Sequence, residues 1–472
     1  MENNLLNKFR FFDPDENVKN IAFELYSNVK DLPIISPHGH VEPKLLANNE
    51  PFPDPTELLI IPDHYIFRML YSQGISLESL GIPAIDGTEV EKDHKKIWQI
   101  FADNFYLFNG TPTGAWLMHE FAEVFGIDEK LNSHNAMKIY DYMLAKLQTR
   151  EFLPRTLFEK FKIEVLNTTD GAADNLEYHK KIKESGLKGR VIPCFRPDAV
   201  VNINSKNWKK EIKALSKASG IDIKNYKNFI RALEKRRKYF KSLGAVSTDQ
   251  GIVSPYTHKL SDNKADAIFQ RALKGKATEE DADLFVANML MEMARMSTED
   301  GLVMQIHPGS MRNHNKIIFE RFGLDKGADI PLQTEYTRNL YELLNTYGNN
   351  TNLTIIIFTL DESTYSRELA PLAGHYPALK LGPPWWFHDS IEGMIKFRQN
   401  VTETAGIYNT VGFNDDTRAF LSIPARHDVS RRMDSNFLAR LVARHMICMD
   451  EAKSMGKALA YELVKKAYNL YD

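Results

Sequence analysis

The stretch PIISPHGHVEP at 33–43 ends an apolar run in two histidines, His38 and His40, separated by one glycine. Alternate residues of an extended strand share a face, so both imidazoles point the same way wherever the strand reaches them. Glycine between them permits a tight turn and close approach of a ligand. Neutral imidazoles at that spacing make a two-point clamp for zinc or a similar divalent ion. Two loop histidines that bind nothing look the same in sequence. Any further ligands must come from elsewhere in the chain.

The elements that would position them are short β-branched runs, each leading towards Asp, Asn, His, Arg or Pro. They are PIIS (33–36), IEVLNTT (163–169), RVIPCF (190–195), GAVST (244–248), LVMQI (302–306), LTIIIF (353–358), ALKLG (378–382) and YNTVGF (408–413). Segments of helical periodicity lie between them, DADLFVANMLMEMARM and EYTRNLYELLNTYG among them. Strands alternating with helices imply a parallel sheet. Eight runs predict a (β/α)8 TIM-type α/β barrel, with a doubly wound open sheet as second choice. The chain divides into an N-terminal helix and first strand (1–43), a mostly helical insertion (44–153) and the remainder of the barrel (154–472). The insertion holds DHYIFRMLYSQG and NAMKIYDYMLAKLQTR but no convincing strand, and another helical stretch, 207–243, precedes strand four.

Barrels deliver their chemistry from the C-terminal ends of the strands. The residues there are His38 and His40, Asp170, Arg196 with Asp198, Asp249 with Gln250, and His307 with Arg312. Asp361, Trp385 with Trp386, and Asp415, Asp416 and Arg418 follow the last three strands. Histidines from strands one and five and an aspartate from strand eight could converge on one metal. Each has a plainer reading. His307 could be a satisfied rim histidine, Asp415 and Asp416 helix caps, Arg196 an ion-pair partner, and the two tryptophans packing.

The 472 residues are 43% hydrophobic and 26% charged, which suits a globular chain with a large core. A formal net charge of −2 offers no general attraction to nucleic acid or anionic membrane. The basic run EKRRKYFK (234–241) reads as a solvated helix face. Cys194 and Cys448, far apart, indicate neither a disulfide framework nor a thiolate metal site, so a reducing, cytoplasmic setting is expected. The start, MENNLLNKFRFF, lacks the apolar core of a signal peptide, and no membrane-length apolar run follows. No phosphate-binding GxGxxG or GxxxxGK[ST] loop is present, so no organic cofactor is expected.

HGH after strand one resembles the HxH signature of the amidohydrolase superfamily of metal-dependent barrels. Longer blocks resemble the uronate isomerase (glucuronate isomerase) family within it. They are DHYIFRMLYSQG (63–74), NTTDGAADNLEYH (167–179), IPCFRPD (192–198), QIHPGSMRN (305–313), GPPWWFHDS (382–390) and GFNDDTRAFLS (412–422), in the family's order and across almost the whole chain. The resemblance implies aldose–ketose isomerisation of hexuronates, D-glucuronate to D-fructuronate and D-galacturonate to D-tagaturonate. It also implies a bound divalent metal, usually zinc. Carried over by position, His38, His40 and Asp416 match the metal residues, and His307 either ligates the metal or contacts substrate. Tyr65 and Arg68 match the DHYxxR block, and Arg196, Arg312 and Arg418 match family arginines. Two departures stand out. Gln250 replaces the histidine of a block that usually reads SDHA, and DDTR replaces TDSR, so Asp415 competes with Asp416. They keep a related metal-dependent hydrolase or epimerase of sugar acids as the alternative.

The chemistry can be argued from the residues. Isomerising a 2-hydroxy aldehyde requires a base to take the C2 proton and an electrophile to stabilise the enediol oxygens. Asp416 is the expected base, Tyr65 the expected acid and Arg418 part of the catalytic set. Arg68, Arg196, Arg312, His307, Trp385 and Trp386 are expected to contact a small sugar acid, whose carboxylate suits a planar guanidinium. The sequence is silent on homo-oligomers.

Overall fold

In the computed structural model, which describes residues 5–471, the first seven apolar runs form strands. They are β1 (Ile34–Ser36), β2 (Ile163–Asn167, resuming at Asp170–Gly171) and β3 (Arg190–Ile192, resuming at Phe195–Arg196). β4 (Ser247–Ile252), β5 (Val303–Pro308), β6 (Ile355–Ile357) and β7 (Leu379–Leu381) complete them. Each pairs in parallel with the next in chain order. Runs such as Ile355–Ile357 are buried throughout, as parallel strands covered on both faces should be.

The eighth run departs from expectation. Residues 408–413 form no strand. A bridge between Leu381 and Thr410, the Val411 N–H donated to Leu381 O at 3.1 Å and Lys380 Nζ donated to Asn409 Oδ1 at 2.6 Å tie them to β7. Gly412 explains the break, with φ at +78° in the left-handed region. A Cβ there would stand 2.6 Å from Val464 Cγ2 and 2.7 Å from Leu459 O. The glycine lets the C-terminal helices press close, at the expense of a regular ladder. The ring closes one turn later, where His40 N–H donates to Thr417 O at 2.9 Å.

Helices cover the outside. α1 (Glu16–Val29) precedes β1. Between β1 and β2 the described residues form helices and turns only, among them α2 (His64–Ser72) and α3 (Pro112–His119). α4 (Tyr226–Ser242) precedes β4, and α5 (Glu279–Asp300) precedes β5. α6 (Ile391–Ala405) and α7 (Ile423–Ala443) follow β7. α5 starts at a reciprocal cap, Thr278 Oγ1 accepting from Asp281 N–H and Asp281 from Thr278 N–H, and ends at left-handed Gly301. α7 is strapped to the entrance of β1 by Arg431, which donates to Lys30 O at 2.8 Å and Pro33 O at 2.9 Å.

The basic run on α4 is not a solvated face. Arg236 and Arg237 are 5% and 1% exposed, whereas Lys235 and Lys238 face solvent. Arg237 grips Asp300 through Nε at 2.6 Å and Ser297 Oγ at 2.9 Å, which latches α4 to the end of α5. Arg236 donates to Ala172 O at 3.0 Å and to Asp174 O, below the turn that follows β2. A guanidinium serves several acceptors at once, so two arginines can be buried where lysines could not. Among the described residues, no helix is long and apolar enough to cross a membrane.

Candidate active site

β1 stops at Ser36, so the two histidines of HGH sit in the turn beyond it rather than in the strand. They still converge. His40 Nε2 lies 3.1 Å and His38 Nε2 3.5 Å from Asp416 Oδ1. Asp416 itself holds φ at +39°, a conformation that aspartate adopts more readily than most residues. His307 joins from the end of β5, its ring stacked 4.8 Å from His38 and 4.0 Å from Phe358. Its Nδ1 lies 2.7 Å from Asp249 Oδ1, and its Nε2 is buried with no hydrogen-bond partner. His38, His307 and Asp416 each offer a ligand atom within 4.8 Å of the others. Two imidazoles and a carboxylate at that spacing, with His38 Nδ1 and His307 Nε2 both buried and unpartnered, fit a divalent metal ion. His38, His40 and Asp416 thus lie together, with His307 stacked on His38 beside them.

Burial pulls His38 down to about 4 against the pull of Asp416 and Asp249, so it is neutral near pH 7, as ligation requires. Burial alone would push the Asp416 carboxyl up. The facing His38, His40 and His307 outweigh it and hold Asp416 well below the usual carboxylate range. Burial pushes the Tyr65 phenol above its usual range, so it keeps its proton.

These groups open on a cavity of about 460 Å³. Tyr65 lines it from α2, where Asp63 Oδ1 caps the helix by accepting from Tyr65 N–H at 2.8 Å. Trp385 lines it edge-on to His307, at 4.8 Å. Trp386 lines it with φ at +50° and an unpartnered, buried Nε1.

The arginines separate into distinct situations. Arg196 lines the cavity, but its Nε is 2.7 Å from Asp198 Oδ2 and its Nη1 3.2 Å from Asp249 Oδ2. Arg312 also lines it, held by Asp329 at 2.7 Å and stacked 5.3 Å over Trp386. Arg418 has a loose ion pair with Asp325 at 3.7 Å and is the freest of the three arginines that line the cavity. Arg68 does not line this cavity. It lies behind the wall made by Tyr65 and Trp386, over Phe387 at 5.1 Å, so sharing a helix face with Tyr65 did not bring it to the site.

The two departures from the family blocks both turn away. Gln250 donates to Thr248 Oγ1 at 2.9 Å and lines a separate cavity against α5 with Met289 and Met293. Asp415 Oδ2 lies 3.0 Å from His427 Nε2 on α7, and Asp415 does not line the central cavity. Strand alternation accounts for the first case, since Asp249 and Gln250 must point to opposite faces. Sequence reading missed Asp63, His64, Leu324 and Asp325 in the lining. The DHY block carried a signal for the first two. Leu324 and Asp325 arrive on the excursion after β5, which has no periodicity to place it.

Behind Tyr65, Arg426 lies 3.6 Å over Trp116 and donates to Asp389 at 2.5 Å. Glu120, just beyond α3, is 4% exposed, and burial, then Asp63, push its carboxyl up to about 8 against the pull of Arg426. The folded chain thus holds this proton more tightly than the unfolded one. Its stabilising contribution is complete below the ordinary carboxyl range near 4.5 and is lost as pH rises towards 8. Glu120→Gln is expected to flatten the fall in stability across that window and to raise the melting midpoint at pH 8. Parallel melting curves for the two proteins from pH 5 to pH 8 would refute this.

Fold and cavity together define an α/β barrel with a histidine–carboxylate site where such barrels carry catalysis. The glucuronate isomerase family model matches residues 11–468. A uronate isomerase of Nostoc punctiforme is 56% identical over 467 residues, 99% of this chain and 98% of that one. The crystal structure of glucuronate isomerase from Caulobacter crescentus superposes with a TM-score of 0.97 at 53% identity, covering 99% of this chain and 97% of that one. That of uronate isomerase from Thermotoga maritima gives 0.92 at 28% identity, covering 98% and 99%. The chain belongs to the glucuronate isomerase family, and it is an isomerase.

Proposed function

We propose that the cavity converts D-glucuronate to D-fructuronate and D-galacturonate to D-tagaturonate, with Asp416 as base, Tyr65 as acid and Arg418 on the substrate carboxylate. The supporting observation is the meeting of His38, His307 and Asp416 in one cavity with Tyr65 and the lightly paired Arg418. His38, His40, His307 and Asp416 would hold a divalent metal, zinc in this proposal. Once bound, it supplies a Lewis acid for a substrate oxygen. Asp416, ionised near neutral pH, takes the proton from C2 and returns it at C1. Tyr65, protonated because it is buried, donates to the carbonyl oxygen at C1 and takes back the proton of the C2 hydroxyl as the ketone forms. Trp385 and Trp386 wall the sugar. Arg196 and Arg312, tied to their own carboxylates, shape the pocket and contribute positive charge.

Turnover of D-glucuronate in heavy water tests the reaction. A ketose carrying deuterium at C1 in part of the product is expected, because a sheltered base returns some protons before they exchange. A ketose with no label at all would exclude any exchange of the abstracted proton with solvent and overturn this expectation. No ketose from either uronate at full metal loading would refute the reading. Elemental analysis of the protein and of His38→Ala should show metal in the first and a deficit in the second. Equal contents would remove His38 from the metal site.

Arg418→Met is expected to lower kcat/KM about 10- to 100-fold, since a hydrogen bond to a charged group contributes about 1.5–3 kcal/mol. An effect confined to Arg312→Met would move the carboxylate to the other side of the pocket.

A further inference from the structure

We infer that Asp249 is a positioning residue that fixes the tautomer and ring plane of His307, and that Arg196 in turn holds Asp249. The inference deepens the metal reading above and takes its consequence from it. Asp249 is 1% exposed, in the middle of β4. Register sets Gly251 of β4 opposite His307 of β5, and Asp249 opposite Gln305. Asp249 Oδ1 lies 2.7 Å from His307 Nδ1, and Oδ2 lies 3.2 Å from Arg196 Nη1. Asp198 Oδ2 completes the chain by accepting from Arg196 Nε at 2.7 Å and from Gly251 N–H at 3.1 Å.

Gly251 leaves room for that clamp. A Cβ there would stand 2.6 Å from Arg196 Nη2 and 3.0 Å from Asp198 Oδ2. An ionised carboxylate can only accept, so the proton between Asp249 and His307 belongs to Nδ1. The lone pair of His307 then sits on Nε2, the buried atom without a partner. Phe358 and His38, both stacked against it, keep the ring from turning. His307 thus presents an unprotonated nitrogen to the cluster before any cation arrives. Partners of this kind fix the tautomer of ligating histidines, and their loss costs about 10–100-fold in metal affinity.

Asp249→Asn keeps the shape and reverses the donor pattern. Arg196 claims the amide oxygen, the amide NH₂ faces Nδ1, and the His307 proton moves to Nε2. Zinc affinity, measured on metal-free protein by competition with a chromophoric chelator, is expected to fall about 10–100-fold. Nitrogen NMR of histidine-labelled, metal-free protein is expected to show the Nδ1–H tautomer in the wild type and the Nε2–H tautomer in the variant. Unchanged zinc affinity in Asp249→Asn overturns the inference. So does an Nε2–H tautomer in the wild type, a reading that needs no variant to fold. Wild-type protein with no zinc affinity would overturn the metal reading instead, and the tautomer would still decide the role of Asp249.

Discussion

Asp416→Asn is expected to lower kcat by about 10²–10⁴-fold, the range general-base catalysis contributes. Asparagine keeps the size and an acceptor oxygen, so His40 retains a partner at Oδ1 and the left-handed backbone suits it equally well. What disappears is the negative charge facing the histidines and the ability to take a proton from carbon. Metal content should fall together with kcat, because the same carboxylate completes the cluster with His38 and His307. Steady-state kinetics on both uronates, with metal measured on the same samples, checks this. A variant with normal kcat would transfer the base role to another group. Normal metal content with lost turnover would separate base from ligand.

Tyr65→Phe is the second large effect, again about 10²–10⁴-fold in kcat. The ring packs edge-on to Trp116 at 5.6 Å and stacks on His64 at 4.8 Å, and phenylalanine preserves both contacts. Asp63 caps the backbone of residue 65 rather than its side chain, so α2 starts at the same place in the variant. The loss should therefore appear in kcat with the melting midpoint almost unmoved. Full activity in Tyr65→Phe would leave the carbonyl oxygen to a different acid.

The site was legible wherever chemistry coincided with a strand end. HGH, His307 and Asp416 each follow a β-branched run, and the barrel brings those ends together. The choice between Asp415 and Asp416 rested on spacing to Arg418, and the structure turns only Asp416 towards the histidines. Alternation within β4 carried a further message that went unread. Asp249 faces the cavity, and the departure at Gln250 does not. Legibility failed where long-range packing set the outcome. Gly412 looks unremarkable inside YNTVGF, yet its left-handed backbone is set by Val464 and Leu459. The basic run on α4 looks like a solvent face until Asp300 and Ser297 take up Arg237. Arg68 shares a helix face with Tyr65, but the wall formed by Tyr65 and Trp386 stands between it and the cavity.

The bond from His40 N–H to Thr417 O, with Arg431 strapping α7 to the entrance of β1, means that the two ends of the chain close the ring. A polypeptide made from its N-terminus displays its first histidines early, and His307 well before Asp416 exists to meet them. Contacts between such distant segments also form slowly, since a long loop must close first. The cluster therefore remains a set of isolated side chains throughout most of synthesis, too few to compete for stray cations. In the proposed enzyme, the capture of an ion would certify that α7 has docked against the entrance of β1.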